Sequence, residues 1–134
     1  MGRKMSDFLV RIYYEDTDCG GIVYHTNYIK YCERARSEIF FSAGILPNTE
    51  RIGLVVRKLN ADFLDSAKLG DLLKVTTRIV KLGQTSLTLN QEIYHADKST
   101  KIFQCEVKLA CIDIEHKKIV KIPSEILAIL QTKF

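Results

Sequence analysis

The chain has 134 residues, 46% of them hydrophobic and 27% charged, enough to bury one core and short for two domains. No apolar run is long enough to span a membrane, so stable insertion is not expected. The net charge of +4 comes from lysines and arginines scattered along the chain, with no basic stripe interleaved with aromatics to suggest a nucleic-acid platform.

A solvated surface, or a few cations meeting a phosphorylated small ligand, accounts equally well for that excess. The N-terminal Met-Gly-Arg-Lys-Met-Ser is basic without an apolar stretch behind it, so no secretory signal is expected, although Gly2 and Ser6 fit the loose myristoylation pattern. Cys19, Cys32, Cys105 and Cys111 form neither a CxxC pair nor a zinc-like quartet. Reduced thiols in a cytoplasm are the expected state.

In chain order, a first strand is predicted over Phe8–Glu15, followed by a glycine-containing loop. A helix is predicted from Asn27 to Ala43, where Tyr28, Cys32, Ala35, Ile39 and Ala43 recur at three- and four-residue intervals as one apolar stripe. Thr26 or Asn27 can cap its start, and Gly44 with Pro47 stops it. The period then changes to two, predicting strands over Leu54–Leu64, Leu72–Leu82, Ser86–His95 and Lys101–Ile114. In Ser86–His95, Leu87, Leu89 and Ile93 alternate with Thr88, Asn90 and Glu92, while Gln91 interrupts the apolar side. Cys105 and Cys111 share one strand face, where cysteine serves as a small hydrophobe. A short strand over Lys118–Ile122 precedes a terminal helix, Ser124–Leu130.

With no repeat and no linker, residues 1–134 read as a single domain. The order of strand, long helix and antiparallel strands indicates an α+β fold, a curved sheet wrapped around one helix. Pairing through an open edge strand is a natural way to complete such a sheet.

The segment Tyr14–Tyr28 concentrates three acids, adjacent glycines, a histidine and an asparagine just ahead of the helix. Carboxylates, a bent backbone and a helix N-terminus are the parts that polarise a carbonyl and attack it. Asp18, held near helix N–H groups, can attack directly or serve as general base for water; equally, it can simply bind the turn N–H groups beside Gly20-Gly21. Asp16, at the entry to the turn, reads as a supporting cap or ion pair. Cys19 has no dedicated base and reads as a small residue. His25 can act as acid, proton shuttle or orienting donor. His95 and His116 have no evident partners.

The pattern Tyr14-x-Asp16-Thr17-Asp18-x-x-Gly21-x-Val23-Tyr24-x-x-x-Tyr28 resembles the signature of the 4-hydroxybenzoyl-CoA thioesterase family of hotdog-fold enzymes. Val23–Tyr28, Glu33-Arg34-Ala35-Arg36 and Asn60–Leu64 resemble its bacterial Tol-Pal-associated branch, and the similarity runs from about Phe8 to Pro123. The resemblance implies a hotdog fold, a long central helix wrapped by a five- or six-stranded curved antiparallel sheet. It implies hydrolysis of acyl-CoA to a free acid and CoA, with neither metal nor organic cofactor. It also implies active sites at a homodimer interface, with dimers often pairing into tetramers.

By the same resemblance Asp18 matches the catalytic aspartate, and the backbone N–H of His25 the donor to the thioester carbonyl, its side chain assisting. Tyr24, Asn27 and Tyr28 are expected to shape the pocket and fix the helix start, both tyrosines being equally at home in an amphipathic core. Arg57, Lys58 and Lys118 are expected to meet CoA phosphates, or to be ordinary surface charges. Another hotdog branch uses a helix glutamate, but with a loop aspartate present Glu33 and Glu38 read as packing-edge or ion-pairing residues. Two rival functions remain. One is a hydroxyacyl dehydratase, disfavoured by Gly20-Gly21 after Asp18; the other is a non-catalytic module binding acyl groups or an acyl carrier protein.

Overall fold

The computed structural model describes residues 6–133; Gly2 of the lipidation pattern lies outside the described residues. In chain order the elements are β1 (Ser6–Arg11), α1 (His25–Phe41), β2 (Ile52–Phe63), β3 (Leu72–Leu82), β4 (Ser86–His95), β5 (Lys101–Asp113), β6 (Lys118–Ile119) and α2 (Ser124–Lys133). The strands form one antiparallel sheet ordered β1-β3-β4-β5-β2, with the short β6 paired to β5. The architecture is the expected α+β hotdog arrangement.

Two adjoining apolar clusters join helix to sheet. Tyr28, Tyr31, Cys32 and Ala35 of α1 pack with Val75, Ile93, Phe103 and Cys105, while Phe40 packs with Ile79, Leu89, Val107 and Leu109 beneath α2. Each large aliphatic buried this way contributes roughly 1.5–3 kcal/mol against exposure. β4 shows the sequence alternation plainly: Leu87, Leu89, Gln91, Ile93 and His95 are buried and the residues between them half-buried.

Gln91, the polar break in that row, is fully buried and fully employed. Its Nε2 donates to the Cys32 carbonyl and to Thr77 Oγ1, both at 2.9 Å, and its Oε1 accepts Arg36 Nη1 at 2.9 Å. A buried amide is tolerated because each of its polar atoms is paired.

Several boundaries differ from the sequence expectation. The first strand stops at Arg11 instead of Glu15, because Tyr14–Asp16 curls into a 3₁₀ turn held by Asp16 N–H to the Tyr13 carbonyl at 3.0 Å. α1 starts at His25, two residues early, so Asn27 lies inside its first turn. The helix stripe includes Tyr31 and Phe40, while Ala43 falls past the helix end. β6 is only two residues long, and α2 runs on to Lys133.

β2 is a sheet edge carrying exposed Val55, Val56 and Phe63, followed by exposed Leu64. A bulge between Val56 and Lys58 shifts its register. No described helix is long and apolar enough to cross a membrane.

Candidate active site

The two loop aspartates have opposite fates. Asp16 is buried; its Oδ2 accepts the Tyr13 N–H at 2.8 Å, and its carbonyl accepts the Tyr24 N–H at 3.0 Å and Asn27 Nδ2 at 2.8 Å. It ties the loop to the first turn of α1. Asp18 is exposed, with Oδ1 accepting the Gly20 N–H at 2.8 Å; Oδ2 has no hydrogen-bond partner among the described residues. The turn-binding expectation is therefore met with one carboxylate oxygen, leaving the other open to a ligand.

The backbone explains why glycines follow Asp18. Asp18 N–H donates to the Ile22 carbonyl at 2.9 Å and its carbonyl accepts the Gly21 N–H at 3.0 Å, closing a tight turn. Gly21 has φ +82, a left-handed conformation costly for residues with a Cβ. A Cβ on Gly20 would stand 3.2 Å from Asp18 Oδ1, so a side chain there would push the carboxylate by a few tenths of an ångström from the Gly20 N–H that it accepts. An antiparallel bridge, Thr17 to Val23, then returns the chain to the helix mouth, one residue from Asp18 on one side and two from His25 on the other.

That mouth is open. The residue before the helix, Tyr24, makes no side-chain capping bond, and among the described residues no acceptor meets the N–H of His25 or Thr26. Asn27, the first N–H claimed locally, donates to the Tyr24 carbonyl at 2.9 Å. Unclaimed N–H groups with the partial positive charge of a 17-residue helix can hold a negatively charged oxygen.

Behind the mouth stands an aromatic wall. The His25 ring lies 4.6 Å from Tyr24 and 5.9 Å, edge-on, from Phe63. Phe63 meets Phe103 at 5.1 Å, and Phe103 stacks on Tyr28 at 5.6 Å. Tyr28 is a core pillar: it is buried, and its hydroxyl accepts the Ala67 N–H at 3.0 Å. Burial raises its phenol pKa, partly offset by that bond, so it stays protonated at neutral pH. Next to it, the Tyr31 hydroxyl is buried without a hydrogen bond among the described residues. Burial, and the nearby Asp16 carboxylate, push its pKa well above the phenol range.

The sequence candidates thus separate. Tyr24 and His25 stand at the mouth, with Asn27 and Tyr28 braced behind them, and Asp18 lies in the turn that the Thr17–Val23 bridge ties to it. Arg57 and Lys58 sit on β2, five to six residues from Phe63, roughly 16–20 Å along the strand. Lys118 pairs with Asp113, itself opposite Ile52, at the far end of β2. Cys19 is exposed, whereas Cys32, Cys105 and Cys111 are buried. Both histidines expected to lack partners have them: His95 Nδ1 lies 3.7 Å from Asp71, and His116 Nδ1 3.3 Å from Asp113. Phe63 entered only within the Asn60–Leu64 resemblance and Ala67 not at all, because an alternating strand residue and a loop alanine carry no local signal of a long-range contact.

The chain matches the thioesterase-like superfamily over residues 12–130. It is 42% identical over 120 residues to the acyl-CoA thioesterase YbgC of Helicobacter pylori, covering 84% of this chain and 90% of that protein. To the acyl-CoA thioester hydrolase YbgC of Escherichia coli O157:H7 it is 40% identical over 123 residues, covering 89% and 90%. Among solved structures, Slr0204, a 1,4-dihydroxy-2-naphthoyl-CoA thioesterase from Synechocystis, superposes with a TM-score of 0.89 at 20% identity, covering 96% and 97%. At that identity the likeness is one of fold.

Proposed function

This chain belongs to the thioesterase-like superfamily, and from that premise we propose that it hydrolyses acyl-CoA to a free acid and CoA. The observation that carries this reading is the pairing of a half-free carboxylate, Asp18, with the unclaimed N–H groups of His25 and Thr26. In the proposed mechanism the thioester carbonyl oxygen sits on the His25 amide, where the helix end stabilises the charge that develops on attack. Asp18 then either takes a proton from water, whose oxygen adds to the carbonyl carbon, or adds directly through its own oxygen to give an anhydride that water opens. In both routes the C–S bond breaks, and the leaving thiolate ends as the CoA thiol. Asp16, Asn27, Tyr24 and Tyr28 position these parts.

The proposed enzyme is a homodimer that can pair again into a tetramer. Exposed Val55, Val56, Phe63 and Leu64 along an unpaired edge support pairing of β2 with a second copy. If two β2 strands pair antiparallel, the start of one runs beside the end of the other. Lys118 of one copy would then approach the partner's helix mouth, where CoA phosphates need cations, while Arg57 and Lys58 would lie near the middle of the paired strands. A cytoplasmic location and an acyl carrier protein as alternative donor belong to the same proposal.

The test is release of free thiol from a panel of acyl-CoAs by wild type and Asp18→Asn. Hydrolysis by wild type and its loss in a folded variant is the expected result. No hydrolysis of any thioester by wild type removes the function, and full activity of Asp18→Asn removes the assigned acid.

A further inference from the structure

Below the helix mouth, between α1 and the sheet, lies a polar cluster that the proposed hydrolysis does not use. Cys32 of α1 and Cys105 of β5 are both buried, and Arg36, one turn beyond Cys32, donates to Gln91 Oε1 at 2.9 Å. The sheet brings the cysteines together. Cys105 stands directly across the β4–β5 ladder from Gln91, and Gln91 Nε2 donates to the Cys32 carbonyl at 2.9 Å. The two side chains meet there, the Cys32 thiol donating to the Cys105 sulfur.

Arg36 sets the charge around the pair. A guanidinium partly withdrawn from water calls for a counter-charge, yet no carboxylate lies within salt-bridge distance of Arg36 among the described residues. Burial lowers the Arg36 pKa, and the neighbours that offset this most are the Cys32 and Cys105 sulfurs, ahead of Glu33. The hydrogen bond from Cys32, with the Arg36 charge, holds the Cys105 thiol below its ordinary value against burial. The same bond and burial push Cys32 up. Cys105 is the sulfur that ionises first, and Cys32 is the thiol poised beside it, the arrangement of an attacking and a resolving cysteine. Arg36 also lines a cleft of about 210 Å³, so the cluster meets solvent on that side.

We propose that Cys32 and Cys105 are a pair oxidised by hydroperoxides, and that their disulfide fastens α1 to β5 one turn below Tyr28. The Cys105 sulfur attacks one oxygen of the peroxide and the O–O bond breaks. The other oxygen takes a proton and leaves as water or an alcohol, and Cys105 becomes a sulfenic acid. The Cys32 sulfur then attacks that sulfur, an S–S bond forms, and the hydroxyl leaves as water with the Cys32 proton. Two thiols lose two electrons and the peroxide gains them. The pair lies outside the thioesterase chemistry and does not depend on it. Its reach to the mouth runs through the aromatic wall. Tyr28 stacks at 5.6 Å on Phe103, two residues from Cys105, and Phe103 meets Phe63 beside the His25 ring. Drawing Cys32 to covalent distance moves that turn of α1 against the sheet.

The test treats folded Cys19→Ser protein, which lacks the exposed thiol, with hydrogen peroxide and reads the intact mass and a non-reduced peptide map. The expected result is a mass lower by two hydrogen atoms, Cys32 linked to Cys105 and Cys111 left free, all reversed by a phosphine reductant. In the same background Cys32→Ser is expected to stop at a sulfenic acid on Cys105, trapped by dimedone, and Cys105→Ser to leave Cys32 unlabelled. Should either core variant not fold, the mass and peptide map of the protein with both thiols intact carry the test. In oxidised protein kcat/KM for thiol release from acyl-CoA is expected to fall about tenfold, the scale of a small misplacement at a reacting centre. A pair that stays reduced while the protein is folded, or linkage to another cysteine, overturns the proposal. A disulfide with an unchanged rate overturns its reach to the mouth. A protein that hydrolyses no thioester loses the thioesterase reading, while the mass and peptide map still decide the pair.

Discussion

The two ends of α1 are built on opposite plans. At the C-terminal end the last carbonyls are met: Phe40 accepts the Ala43 and Ile45 N–H groups at 3.0 and 3.1 Å, and Phe41 accepts Gly44 N–H at 2.9 Å. Gly44 makes that closure with φ +80, the left-handed step that ends helices. The N-terminal end has no side-chain cap and leaves the His25 and Thr26 N–H groups unclaimed among the described residues. One end is finished and the other keeps its first donors unclaimed, which the proposed function gives to the thioester oxygen. The aspartates beside the open end repeat the contrast, Asp16 consumed by the backbone and Asp18 half free.

Substitutions that separate the two plans give the sharpest outcomes. Asp18→Asn is expected to lower kcat/KM by about 10²–10⁴, the range for a general base, with an unchanged thermal melt. Asp16→Ala is expected to shift the balance, destabilising by about 1–2 kcal/mol in urea titration while kcat/KM of the folded fraction falls less than for Asp18→Asn. A melt that moves as much for Asp18→Asn as for Asp16→Ala would erase the distinction.

Gln91→Leu strips the seam beneath the helix of its amide, leaving the Cys32 carbonyl and Thr77 hydroxyl buried without that partner. A loss of about 1–3 kcal/mol is expected from denaturant midpoints. At the closed end, Gly44→Ala forces a Cβ into a left-handed conformation, costing about 1 kcal/mol and sparing catalysis.

The smallest effect is a matter of pH. Burial raises the Glu92 carboxyl pKa, but the Lys101 ammonium at 2.8 Å and the Tyr94 hydroxyl at 2.8 Å outweigh it and hold the group below its ordinary value. A folded-state pKa below the unfolded one adds stability above the unfolded value, about 4.3, and loses it as pH falls through the folded value. The melting difference between wild type and Lys101→Met is therefore expected at neutral pH and is expected to close in strong acid.

Much of the fold was legible because it rests on periodicity. β3 and β4 fall where the alternation puts them, and α1 follows its three-four stripe. Two of the misplaced boundaries, the end of β1 and the start of α1, lie where a side chain or a turn overrides local preference. Asp16 caps the Tyr13 amide and bends away a strand that apolar content alone would extend, and the helix starts at His25 because the loop reverses through Gly21. Asp18 was legible from its company of acids and glycines. The aromatic wall was not, since Phe63 and Tyr28 stand 35 positions apart and meet only through the pairing of β2 with β5. The Arg36–Gln91 contact spans 55 positions, and its one local trace was a polar residue breaking an apolar row.

The open helix end can be tested at a single atom. Tyr24, with φ −65 and ψ 135, already holds the backbone that a following proline requires, and proline is tolerated at the first position of a helix. His25→Pro therefore removes the amide hydrogen while preserving the helix start, whereas His25→Ala removes the ring and keeps that hydrogen. With both variants folded, thiol release from the best acyl-CoA is expected to be about 10²–10³ slower for His25→Pro than for His25→Ala. Equal rates would contradict an oxyanion held by the His25 amide.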